Sequence, residues 1–171
     1  MLEQIKICGH NGFMQRSKLS SAQVLLESEP QQWYALVICD SQCPIPRFVE
    51  STAKDYFRLE FDDVCSSQLG LAPNSTIIED GLHWAKDKEK LMVACHAGIS
   101  RSSAMALVIA TEAWGLDKAF ALLSPREHYP NKLVIRIGAS LIGMPELWDR
   151  FAIWLEKATG SRWRGGYDFE I

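Results

Sequence analysis

Residues 91–109 read LMVACHAGISRSSAMALVI. An apolar run ends at Cys95, a short loop carries Gly98 and Ser100, and Arg101 opens a second long apolar run. Five residues separate Cys95 from Arg101. The pattern predicts a buried strand, a tight loop and a buried helix. The loop after a buried parallel strand is where such sheets bind ligands. Consecutive amides curling around one point form a concave nest for the oxygens of an anion. Gly98 supplies the backbone freedom that such a curl needs. The first turn of the following helix aims its unpaired N–H groups at the same point.

Cys95 stands at the floor of this nest, where amides and helix dipole favour a thiolate nucleophile. Arg101 adds a planar, always-charged fork suited to two phosphoryl oxygens at once. Ser102 is placed to donate its hydroxyl to the Cys95 sulfur when that sulfur leaves. His96, Ala97, Gly98, Ile99 and Ser100, together with Arg101, are then the expected phosphate-binding set. The spacing alone recurs by chance in a chain with five cysteines. The apolar strand ahead, the glycine, the hydroxyl after the arginine and the apolar helix behind give it weight.

Outward from this stretch, the chain alternates strand and helix signals. Residues 5–8 read as an edge strand, and Ser20 caps a short helix ending before Pro30. Residues 33–39 (WYALVIC) are continuously apolar and read as a strand buried on both faces. Residues 40–46, with two prolines, form a loop. Residues 56–61 (YFRLEF) alternate as a half-buried strand does and run into Asp62 and Asp63. A loop to Pro73 precedes a helix capped by Asn74 or Ser75, with Ile77, Ile78, Leu82 and Ala85 on one face. After the central helix, residues 101–114, come a short helix over 117–123 and one capped by Asn131 and running to about Leu141. A last helix starts at Pro145. The six tryptophans read as core, mostly at helical positions. Residues 1–160 form one domain and 161–171 a loose tail. The fold class is α/β: a central, mostly parallel sheet of four to five strands flanked by helices, with a helix-rich C-terminal half.

Composition narrows the partners. Apolar residues make up 47% and charged residues 23% of 171, ordinary for a globular protein long enough to bury a core. A net charge of −3 gives no reason to expect nucleic acid or an anionic membrane surface, so any anion site is local. No apolar run approaches the roughly 18 residues of a membrane span. The N-terminus lacks the basic flank and apolar core of a secretory signal. Five cysteines without repeated spacing argue for reduced thiols in a cytoplasm, and the Cys and His spacings make no metal site. A cytoplasmic monomer without metal or cofactor is expected.

The run CHAGISRSS resembles the signature loop of the cysteine-based protein tyrosine and dual-specificity phosphatases. LEFDD and LLSPREHYPNKL extend the likeness to short bacterial tyrosine-phosphatase-like proteins, over about residues 35–150. The resemblance implies the protein tyrosine phosphatase-like fold and metal-free hydrolysis of a phosphorylated protein or other phosphomonoester. In that chemistry Cys95 attacks phosphorus and forms a phosphocysteine, while Arg101 and the loop amides hold the oxygens. The family's general acid is an aspartate on an upstream loop, a place filled here by Asp63, 32 residues before Cys95, with Asp62 as the alternative. The resemblance also raises Cys65 as a partner for Cys95 under oxidation.

Asn131 reads as a helix cap, and Arg126 as either a substrate contact or a solvated, structural side chain. The loop interior has no lysine, which favours phosphotyrosine over polyanionic inositol phosphates. One position departs from the family: its histidine before the cysteine is Ala94 here. That departure supports a second reading, a phosphate-binding pseudophosphatase or interaction module with little turnover. Sulfur transfer by a rhodanese-like domain fits the spacing poorly.

Overall fold

The two most apolar short runs become the inner strands of a parallel sheet. These are β2 (Tyr34–Cys39) and β4 (Lys90–Cys95), flanked by β1 (Gln4–Gly9) on one edge and β3 (Asp55–Glu60) on the other. The order is β1-β4-β2-β3, and every pair is parallel. The structure, a computed structural model, describes residues 1–12 and 19–160. Among them the sheet has four strands, the lower end of the expected range. The expected tail, 161–171, lies outside the described residues, as does most of the loop after β1.

Side chains alternate across β2 and β4 and feed two cores. Ala35, Val37, Met92 and Ala94 join Cys8, Ala22, Leu26, Trp33 and Val49 under α1 (Ser21–Ser28) and α2 (Arg47–Thr52). Leu36, Ile38, Leu91, Val93 and Cys95 face the larger core. It is covered by α3 (Ser75–Ala85), α4 (Arg101–Trp114), α5 (Leu116–Phe120), α6 (Lys132–Leu141) and α7 (Glu146–Thr159). The late helices therefore stack on one face of a sheet built early.

The caps form where their side chains permit. Ser20 Oγ accepts from Gln23 N, Asn74 Oδ1 from Ile77 N, and Asn131 Oδ1 from Leu133 N and Val134 N. Gly115, at φ +83°, ends α4. Along α4 every residue from Arg101 to Thr111 is buried, as its all-round apolar pattern implies. The helix predicted over 117–123 starts at Leu116 and tightens into turns after Phe120, where Leu122 N and Leu123 N reach back three residues. The tryptophan reading needs correction. Trp33, 1% exposed, lies just before β2, and Trp84, Trp114, Trp148 and Trp154 are only partly buried against the larger core.

Candidate active site

The loop from Cys95 to Arg101 leaves the carboxyl end of β4 and is shaped by its neighbour β1. Gly98 has φ +79°, and a Cβ there would lie 2.6 Å from Gly9 N and 2.8 Å from the Cys8 carbonyl carbon. Glycine is thus required both by conformation and by the pressure of β1 against the loop. The chain after β1 continues the ladder. His10 N donates to Cys95 O at 2.9 Å, and Asn11 N to His96 O at 3.1 Å. The Asn11 side chain reaches His96 Nε2 at 2.8 Å, and the rings of His10 and His96 meet edge to face.

At the floor, Cys95 Sγ and Ser102 Oγ lie 3.1 Å apart, both buried. Arg101, 4% exposed, donates through one nitrogen to Phe61 O at 2.9 Å and to Asp40 Oδ1. Its Nε is buried with no partner among the described residues. Ser100 precedes α4 without capping it by a side-chain bond, so the first-turn amides keep no side-chain acceptor from that residue. Its hydroxyl turns instead to Asp63 Oδ1, at 2.7 Å.

The two adjacent aspartates differ in what they hold. Asp62 closes the loop after β3, its N donating to Leu71 O and its Oδ2 accepting from Leu71 N at 3.1 Å. Asp63 is exposed and tied to the cradle by Ser100 and by Asn131 Nδ2, at 2.9 Å. The structure therefore brings Cys95, Arg101, Ser102, Ser100 and Asp63 together from three elements. Asn131 N also donates to Ser100 O. Arg126 is exposed on the loop 124–131. Cys65 is exposed and lines a small crevice with Lys132, Leu133, Arg136 and Trp148.

Three contributors were not legible in the sequence. Asp40, at the end of β2, pairs with Arg101 across 61 residues of chain. Asn131 reads as a cap alone, yet its amide nitrogen holds Asp63. His10 comes from the masking effect of distance along the chain: only the β1–β4 pairing places it beside Cys95. Burial pushes the His10 imidazole below its ordinary range; His96 and Arg101 act in the same direction, while the Ile38 backbone and Asp40 oppose it.

The departure at Ala94 has a packing account. Ala94 is fully buried, paired with Cys8 on one side and Val37 on the other, in the small core under α1. A histidine there would need room that this tight apolar cluster lacks.

No protein-family model matches the chain, and no curated protein matches its sequence. Solved structures match it in shape. PTPMT1 in complex with PI(5)P aligns with a TM-score of 0.50 at 14% identity, over 76% of this chain and 86% of that one. A second PTPMT1 structure gives 0.50 at 15% identity, over 88% and 95%. The human tyrosine phosphatase-like serine/threonine/tyrosine-interacting protein gives 0.50 at 20% identity, over 77% and 83%. At these identities the likeness speaks for architecture, and the architecture is the protein tyrosine and dual-specificity phosphatase fold.

Proposed function

We propose that this protein is a phosphomonoester hydrolase that acts through a phosphocysteine on Cys95, with phosphotyrosine in proteins as its substrate. The observation that carries the reading is Arg101: a buried guanidinium whose Nε finds no acceptor among the described residues, beside a buried thiol and the N-terminus of α4. A buried charged donor left unpaired is costly, and a phosphoryl oxygen is the acceptor that such a place suits.

The chemistry follows from the residues. The Cys95 thiolate attacks phosphorus, and the P–O bond to the leaving group breaks. Asp63 gives its proton to that departing oxygen. The loop amides of His96 to Ser100 and the Arg101 fork hold the equatorial oxygens as charge spreads over them. Water then attacks phosphorus, Asp63 takes its proton, and the P–S bond breaks as Ser102 donates to Sγ. Phosphate and free thiolate result. Asp62, committed to Leu71, closes the loop that presents Asp63.

Ala94 favours one rival, a module that binds phosphorylated ligands with little turnover. The same experiment separates the two. Hydrolysis of an aryl phosphate is measured under reducing conditions for the wild type and for Cys95→Ser, Arg101→Ala, Asp63→Asn and Asp62→Asn. The hydrolase reading expects loss in the first two and roughly 10²–10⁴-fold lower kcat in Asp63→Asn. A wild type that binds phosphate but never turns over would sink it in favour of the module.

A further inference from the structure

The cradle is braced from behind by the chain that follows β1. Gly9 is fixed to α1, its N–H donating to Ser21 Oγ at 3.0 Å. From there two main-chain bonds run to the Cys95–Arg101 loop, His10 N to Cys95 O and Asn11 N to His96 O. The Asn11 side chain holds the His96 ring at Nε2, and the His10 ring meets it edge to face, with centroids 5.5 Å apart. His96 is thus gripped by its ring and by its carbonyl, and its own N–H is the first of the nest after Cys95.

Packing alone does not account for His10. Its Nε2 is buried with no hydrogen-bond partner among the described residues. An orphaned buried polar atom lowers stability relative to an apolar ring of similar shape. Burial also disfavours the charged ring, so a neutral imidazole stands there near pH 7.

The ring is placed to link separate elements. It bonds the Ile38 backbone near the end of β2 and touches His96 in the loop after β4. It lies within electrostatic reach of Arg101 on α4 and of Asp40, the ion-pair partner of that arginine. No imidazole fits one position ahead of Cys95, where Ala94 is fully buried among apolar neighbours. The parallel pairing of β1 with β4 brings one in from the side instead, one residue past the Gly9–Cys95 pair.

We infer that His10 is a positioning residue for the cradle: its ring, fixed to the end of β2, holds His96 so that the first loop amides face the bound phosphoryl group. This deepens the hydrolase reading above and rests on the same cradle. His10 acts through His96 and touches neither phosphorus nor the leaving group. A residue that only packs would lose function together with stability, whereas a positioning residue with an orphaned atom separates the two.

The test is His10→Phe, which keeps a ring and removes both the orphaned nitrogen and the bond to Ile38. Thermal melting should place it at or above the wild type. Inorganic phosphate, titrated by calorimetry, should bind it roughly three- to tenfold more weakly, as expected for one lost hydrogen bond. The kcat on an aryl phosphate should fall as well. In amide NMR spectra phosphate should shift the His96 and Gly98 resonances of the wild type, and the His96 shift should shrink in the variant. Should His10→Phe melt below the wild type, His10→Asn, which keeps a donor but lacks the ring, is read by the same NMR shift. Unchanged phosphate affinity, or a His96 shift of full size in a folded variant, overturns the inference. A wild type without turnover whose phosphate affinity still falls in His10→Phe would sink the hydrolase reading and leave this one standing. A wild type that binds no phosphate overturns both.

Discussion

Asn131 shows how much one buried side chain can join. Its Oδ1 takes the N–H groups of Leu133 and Val134, which fixes the amide orientation and sends Nδ2 to Asp63 Oδ1 and Val64 O. The cap is local and was readable from the Pro-Asn pair ahead of an apolar helix. The tether spans 68 residues of chain and was not. The two roles are separable. Asn131→Ala loses both, whereas Asn131→Ser keeps a capping oxygen but lacks the long donor. Chemical denaturation should therefore find Asn131→Ser more stable than Asn131→Ala by about 1 kcal/mol. Turnover of an aryl phosphate should fall alike in both, because each leaves Asp63 with Ser100 as its remaining tether. Full activity in Asn131→Ser would show that Asp63 needs no such tether.

Elements with strong local signals came out where the sequence put them: β2 and β4 as apolar runs, α4 as an all-round apolar helix ended by Gly115. The helix α2 did not. Only Val49 of its six residues is buried, Pro46 precedes it, and it carries no periodic stripe, so its formation depends on packing beside the sheet. The connections at the carboxyl edge were equally silent, because their order comes from hydrogen bonds to other elements. Two of them carry a histidine with a depressed affinity for protons. Burial lowers both His10 and His128 below the usual imidazole value. His128 Nδ1 accepts from Ser124 N, a bond that a protonated ring cannot accept. The unfolded chain binds these protons first, so stability is whole above about pH 6.5 and declines as the pH falls below it. Melting temperature should drop between pH 7 and 5, and the drop should shrink in His10→Gln and in His128→Asn. An acid limb unchanged in both variants would place the acid sensitivity elsewhere.

At the scale of the whole molecule, the strand order brings the ends of β1, β2, β3 and β4 to one edge. Each end contributes there: His10, Asp40, Phe61 O with Asp63, and Cys95. The alternation of strands and helices implied a parallel sheet, but strand order is set by which crossovers pack, and no local pattern encodes it. The same architecture sorts the cysteines. Cys8 and Cys39 are buried in the small core; burial pushes the Cys8 thiol up to about 11 and raises that of Cys39. Cys65 is exposed, and Cys95 lies at the floor of the cradle. A brief pulse of iodoacetamide at neutral pH, read by peptide mass spectrometry, should therefore label Cys95 and Cys65 in the native protein. Cys8 and Cys39 should react only after global unfolding. Inorganic phosphate should protect Cys95 and leave Cys65 unprotected, because an anion in the nest covers only the thiol beneath it. If Cys95 were labelled only together with Cys8, the cradle would be closed to ligands of this size, and neither catalysis nor phosphate binding could occur there.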